Sequence, residues 1–420
     1  MPATFRPTSG TNPALMMTYR PPPVRRTDWV SPVALVLLGT LGVLFIKSAQ
    51  SYNGGRQWIY QFVWLLGAAV LYVGLGRIDY HVWIRNIYVV YFASLLLLVL
   101  TLIPPFGQKH SGAWRWVGVG GMTIQPAEFA KIGTLLMVAY ILSRSELGTV
   151  RASFAILAKV AAVALPPIVL IYKQPDLGSV LVITAMVFAQ LFVSNLSVRF
   201  FAAVFGLFLL GVGILAVDDI NYVKYLNKHI QKGQTPVDLR GQYEKLSWVP
   251  LKDYQRERIA TFVAPKQVDQ FNKGVNWQLH QSLIAIGTGG LTGKGYQNGT
   301  QARLGYLPAV PATNDFIMSV YLEETGFMGG MVVLGLFAIL VGNTLRIAGL
   351  ARDRFGQLIC VGAAVILMVH VFVNIGMVQG LMPVKGIPLP LMSYGGSFVL
   401  AIGLLLGLVQ SVYRFRREAV

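Results

Sequence analysis

The chain has 420 residues, of which 55% are hydrophobic and only 12% charged, with a net charge of +18 and a mean hydropathy of +0.59. A soluble domain carries about 25% charged residues, so a water-soluble globular enzyme is excluded and an all-α integral membrane protein is expected. The single cysteine, Cys360, excludes a disulfide framework and a cysteine-built metal site, and positive charge set in loops beside apolar runs fits anionic lipid rather than nucleic acid.

Residues 1–27, where Pro21, Pro22 and Pro23 precede Arg25 and Arg26, read as a flexible cytosolic tail with no secretory signal peptide. Runs long and apolar enough to cross a bilayer then recur ten times. Seven fall within residues 28–217: Trp29–Ile46, Trp58–Leu75, Ile87–Ile103, Pro126–Leu142, Phe154–Tyr172, Leu177–Phe192 and Phe200–Val217. Three fall within residues 316–420: Phe316–Val341, Leu358–Met377 and Ser397–Tyr413. Pro166 and Pro167 predict a kink in the fifth run. Short loops and tails on one side of this alternation hold fourteen arginines, from Arg20 to Arg417, whereas those on the other hold six cations, among them Lys47, Arg115 and Lys385. That bias predicts cytosolic termini and places the large 218–315 loop, between the seventh and eighth helices, outside.

Polar groups in or beside the spans are the candidates for chemistry, because lipid penalises a charge that is neither solvated nor employed. Asp315 stands first, at the point where Thr313-Asn314-Asp315-Phe316-Ile317 leads into an apolar helix. Glu128 and Lys131, three apart behind Pro126, share a helix face and are expected to pair, either locking helices together or lining a polar cavity. Asp176 in Gln174-Pro175-Asp176-Leu177-Gly178-Ser179 reads as a helix cap or a second cavity carboxylate. His370 and Asn374, four apart in the ninth span, are expected to serve the core through interhelical hydrogen bonds. The glycines from Gly287 to Gly299 do not match a phosphate loop and are expected to serve turns and close packing. No cluster has the spacing of a protein-only metal site.

Several of these segments together resemble one family. Gln125–Lys131, Gln174–Ser179, Tyr254-Gln255 with Arg258-Ile259, Gln281–Gln301, Asp315-Phe316-Ile317, and Gly386-Ile387-Pro388-Leu389-Pro390 followed by Ser393-Tyr394-Gly395-Gly396-Ser397 are similar to the shape, elongation, division and sporulation (SEDS) proteins. The resemblance runs from about Trp29 to Arg416 in unbroken order. Within the family, Gln57–Tyr80 and Leu391-Met392 look more like the elongation branch than the division branch.

The resemblance implies a peptidoglycan glycosyltransferase of the bacterial inner membrane that polymerises lipid II on the outer face. It implies Asp315 as catalytic base, and a class B penicillin-binding protein and elongation-complex proteins as partners. Arg115, Lys131 and Lys294 are the cations expected near the leaving diphosphate, Lys385 either joins them beside the cavity or faces lipid headgroups, and Glu128, Asp176 and Ser393 are expected to line the cavity. A divalent cation, Mg2+ or Mn2+, is the open alternative for offsetting that charge. The chain departs from the family pattern where Thr313-Asn314 precedes the aspartate, at Lys385, and in an enlarged Asn221–Trp248 stretch. Two competing classes remain at this stage. A lipid flippase would suit the buried charges but would call for the inverted repeats that this sequence lacks, and a non-catalytic scaffold would not need an intact Asp315.

Overall fold

The computed structural model describes residues 27–416, except for 53, 105, 111–112, 120–121, 146–149, 195–197, 231–233, 235–237, 240, 250, 265–274 and 385. Lys385 and the tail before residue 27 therefore lie outside the described residues. The first half of the bundle comprises α1 (Val30–Ala49), α2 (Gln57–Arg77), the short α3 (His81–Arg85), α4 (Ile87–Leu100), α5 (Pro126–Ser143), α6 (Val150–Lys173), α7 (Leu177–Val193) and α8 (Val198–Ile230). The segment between α8 and the last three long helices holds α9 (Asp253–Val263), α10 (Val275–Gly289), α11 (Thr300–Arg303) and α12 (Ala309–Thr313). The bundle closes with α13 (Ile317–Leu350), α14 (Arg354–Val378) and α15 (Gly396–Arg414).

Among the described residues, eight helices are long and apolar enough to cross a membrane, and α4 and α7 are shorter apolar helices. The protein is thus a multi-pass helical membrane protein. Its exposed faces carry Phe62, Val70, Phe92, Phe192, Leu207 and Phe372, a burden of apolar surface that only lipid accommodates. The core lies along α5, α14 and α15, where small residues let backbones approach, as where Gly403 of α15 meets Ala68 of α2. The fifth expected span, α6, runs as one assigned helix through Pro166 and Pro167.

Three features extend the expected picture. Between α4 and α5 the chain forms a three-stranded antiparallel sheet, β1 (Gly107–His110), β2 (Ala113–Val119) and β3 (Met122–Ile124), in the order β1-β2-β3. Helix α8 does not stop before Asp218 but continues to Ile230, because Asp218 finds partners: Arg256 Nε at 2.7 Å and Ser247 Oγ at 2.7 Å. Around that pair Tyr222, Leu226, Leu239, Tyr243 and Ala260 build a small satellite core. The third feature is a break in α13 at Gly326, whose φ of +67° suits glycine alone. The loop after α10 fills the break: Lys294 N and Gly295 N donate to the carbonyls of Glu323 and Glu324, while Phe327 N and Met328 N donate to Gly290 and Leu291. A Cβ on Gly293 would stand 2.2 Å from Glu324 O and one on Gly289 2.2 Å from Leu322 O, so these two glycines serve close backbone packing.

A polar cavity as the candidate active site

Helices α5, α7, α13 and α15 all begin at the same end of the bundle, the end where α14 finishes. Each start is fixed by its sequence. Pro126 opens α5, where its missing N–H costs nothing, and Asp176 caps α7 by accepting from Ser179 N at 3.1 Å and Ser179 Oγ at 2.9 Å. Between these ends lies a cavity of about 490 Å3 lined by Arg115, Glu128, Asp176, Asp315, His370 and Ser397, among others. The other large clefts, such as the 570 Å3 groove between α13 and α14, are walled almost wholly by apolar side chains and offer no comparable chemistry.

The carboxylate-bearing turn 313–315 is pinned at three successive carbonyls. Tyr394 N donates to Thr313 O at 2.9 Å, Ser393 Oγ to Asn314 O at 2.7 Å, and Asn374 Nδ2 to Asp315 O at 2.9 Å. Thr313 Oγ1 adds a bond to Gln57 Oε1 at 2.9 Å. Opposite, Arg115 on β2 donates from Nε to Gln174 O at 2.8 Å and from one terminal nitrogen to Pro175 O. Those bonds use two of its five N–H donors and leave others for an anion. Lys131 Nζ sits beside the cavity wall, 2.8 Å from Glu128 Oε2 and 3.2 Å from His370 Nε2. The starts of α5, α7, α13 and α15 at this end aim backbone N–H groups toward the cavity side, an arrangement that suits developing negative charge, while the side chains supply both carboxylates and cations.

The sequence profile of the FtsW, RodA and SpoVE family, described as cell cycle protein, matches residues 28–418. The chain belongs to this family. It is 35% identical over 396 residues to the "Probable peptidoglycan glycosyltransferase FtsW" of Trichlorobacter lovleyi, covering 91% of this chain and 92% of that protein. It is 31% identical over 429 residues to "Peptidoglycan glycosyltransferase RodA" of Treponema pallidum (92% and 97% covered) and 32% identical over 405 residues to "Peptidoglycan glycosyltransferase MrdB" of Escherichia coli (94% and 97% covered). Among solved structures, it matches a chain from "Structural coordination of polymerization and crosslinking by a peptidoglycan synthase complex" with a TM-score of 0.70 at 29% identity, covering 92% of this chain and 98% of that one. The crystal structure of Thermus thermophilus RodA matches with a TM-score of 0.63 at 27% identity, covering 94% and 98%. This SEDS protein is a peptidoglycan glycosyltransferase.

Of the residues singled out from the SEDS resemblance, Arg115, Glu128, Asp176 and Asp315 line the cavity together, and Lys131 reaches it through its pairing with Glu128. Ser393 is fully buried just behind it, bracing Asn314 and accepting from Leu389 N at 2.7 Å. Lys294 is placed elsewhere. Its ammonium is held 2.6 Å from Glu323 Oε1 and 2.9 Å from Thr300 Oγ1, away from the cavity lining, because it laces the glycine-rich loop to the broken helix. The expected core role for His370 was too narrow, since its ring lines the cavity wall. Gln125 and Ser397 were missed as individual lining residues: Gln125 Nε2 donates to Asp176 Oδ2 at 3.3 Å, and Gln125 N donates to Ser397 Oγ at 3.0 Å. Both stood inside quoted motifs, which was the only signal available.

Proposed function

We propose that this glycosyltransferase polymerises lipid II into glycan strands at the outer face of the cytoplasmic membrane, with Asp315 as general base. The observation that carries the reading is the convergence of Asp315, Asp176, Glu128 and Arg115 on one cavity at the membrane-surface end of the bundle. In the reaction the acceptor sugar's hydroxyl oxygen forms a bond to the donor's anomeric carbon as the bond from that carbon to the diphosphate oxygen breaks. Asp315 takes the hydroxyl proton, the diphosphate leaves with the electron pair, and the anomeric configuration inverts. Arg115 and Lys131 are the described cations positioned to offset the leaving charge.

Charge balance supports a further participant. Among the described residues, three carboxylates (Glu128, Asp176, Asp315) face two cations (Arg115, Lys131), so the site carries a surplus of one negative charge before an anionic substrate arrives. No group of three or more histidine, cysteine or acidic side chains among the described residues could hold a metal alone. Mg2+ favours one or two protein carboxylates completed by substrate phosphates, so Asp176 and Asp315, which both line the cavity, are the carboxylates we propose would hold such an ion to offset the departing diphosphate. Lys385 is the protein's own candidate for the same charge.

Elongation is the branch we favour, on the character of Gln57–Tyr80 and Leu391-Met392, although relatives of both branch names match the whole length. The match to a complex that coordinates polymerization and crosslinking supports a transpeptidase partner, which the SEDS resemblance implies is of the penicillin-binding class. The deciding experiment presents lipid II to purified protein in liposomes, with and without such a partner, and measures glycan length for wild type and Asp315→Asn. Polymer from wild type and a fall on the order of 10²–10⁴-fold in the variant are expected. Equal turnover by both would move the chemistry to another carboxylate, Asp176 first.

A further inference from the structure

His370 and Asn374 lie one turn apart on α14, so both point from the same helix face toward the 386–388 strap. Asn374 is fully buried, and its Nδ2 donates to two carbonyls, Asp315 O at 2.9 Å and Ile387 O at 2.7 Å. The amide orientation is forced, because the flipped rotamer would set its oxygen against both carbonyl oxygens. His370 is held as firmly. Pro388 O, 3.0 Å from Nδ1, can only accept, and the Lys131 ammonium, 3.2 Å from Nε2, can only donate. The ring is therefore neutral, with its proton on Nδ1. Phe398 packs on it with ring centroids 4.8 Å apart. The strap also runs close beside the carboxylate: a Cβ added to Gly386 would stand 3.2 Å from Asp315 Oδ2, so glycine leaves the carboxylate its space.

We propose that His370 and Asn374 form a bracket of two positioning residues, which sets the Asp315 carboxylate against the Lys131 ammonium by holding the strap between them. The proposal rests on Asp315 being the base. Asn374 fixes the backbone of Asp315 and the strap at Ile387. His370 fixes the strap at Pro388 and directs one N–H of Lys131, whose other contacts go to Glu128. Neither residue touches a reacting atom, so their role lies in alignment, where a displacement of about 1 Å costs roughly 100-fold in rate.

Steady-state kinetics of the full-length protein in liposomes with lipid II test the bracket, alongside thermal unfolding. Asn374→Ala and His370→Phe, the latter keeping ring packing against Phe398 while losing both hydrogen bonds, should each lower kcat about 10- to 100-fold with KM within about threefold, the mark of an effect on the transition state alone. His370→Gln offers one donor and one acceptor and should recover most of the loss. Wild-type kcat in folded Asn374→Ala and His370→Phe, or an equal loss in His370→Gln and His370→Phe, would overturn the proposal. Should Asn374→Ala fail to fold, Asn374→Leu keeps the approximate volume while removing both donors, and wild-type kcat there would overturn it as well. Normal turnover by Asp315→Asn in the same assay would instead sink the reading of Asp315 as base, and the bracket's purpose with it.

Discussion

Lys131 Nζ lies 2.8 Å from Oε2 and 2.9 Å from Oε1 of Glu128, and neither side chain is more than 5% exposed. A charge pair taken this far from water is held by mutual attraction against a large desolvation cost, so each partner depends on the other. Removing either alone leaves an uncompensated buried charge and should destabilise the protein by roughly 3–5 kcal/mol. The double variant Glu128→Ala/Lys131→Ala should be no less stable than the worse single one. Thermal unfolding in detergent checks this, and strictly additive losses would show that the two residues do not act as a pair.

Gly326 offers a backbone test. Its φ is +67°, and a Cβ there would stand 2.4 Å from Gly293 N and 2.6 Å from Leu291 C, both backbone atoms that cannot turn aside. Gly326→Ala should therefore cost at least about 1–3 kcal/mol and loosen the loop after α10. At Gly335, in the same helix, nothing lies within 4 Å of an added Cβ, and alanine should be neutral or stabilising by up to about 1 kcal/mol. Similar melting temperatures for the two variants would contradict the lacing of the loop into the helix break.

Ser393 is a relay whose loss exposes two groups at once. Its hydroxyl accepts from Leu389 N and donates to Asn314 O, both at 2.7 Å, in a fully buried position. Ser393→Ala leaves a buried N–H and a buried carbonyl unpaired, at about 1–3 kcal/mol for each group left unsatisfied. Because the carbonyl belongs to the turn bearing Asp315, polymerisation should fall together with stability. A variant with wild-type activity and wild-type melting would show that the turn is held without it.

At the opposite end of the bundle His81 bridges two carboxylates, with Nδ1 2.7 Å from Asp79 Oδ1 and Nε2 2.6 Å from Asp353 Oδ2. The hydrogen bond to Asp353 chiefly raises the imidazole above its ordinary value of 6.5, against the opposing pull of burial, and the same bond helps hold the Asp353 carboxyl below its usual range. A raised histidine stabilises the fold fully below its unfolded value and loses that contribution as pH climbs through the raised folded value. Stability of the wild type should thus decline from about pH 6.5 upward. His81→Asn should flatten that decline. Since these side chains are about one-third exposed, water screens the interaction and the slope should be shallow. Identical pH profiles of melting for the two proteins would remove His81 from the account.

Hydropathy alone made the membrane class and eight long apolar helices legible, because lipid admits few charges and the demand for about 20 apolar residues per helix leaves a strong one-dimensional mark, whereas the third and sixth expected spans fall on helices of 14 and 17 residues. Short-range relations were equally readable. Glu128 and Lys131 pair because three residues is less than one helical turn, and Asp176 caps α7 because it lies three residues before the backbone N–H that it accepts from. Long-range relations left no such mark. Asn374 meets Asp315 across 59 residues and Lys131 meets His370 across 239, so nothing in local spacing announced that a histidine of an apolar span lines the cavity and that an asparagine one turn on braces the turn bearing Asp315. The fate of Lys294 was hidden for the same reason, since its partner Glu323 comes 29 residues later, just before the break at Gly326. The sequence by itself determined what must lie in the membrane and which carboxylates are costly there. Only the tertiary structure decided which of them converge, because convergence depends on how helix ends distant in the chain pack at one level of the bundle.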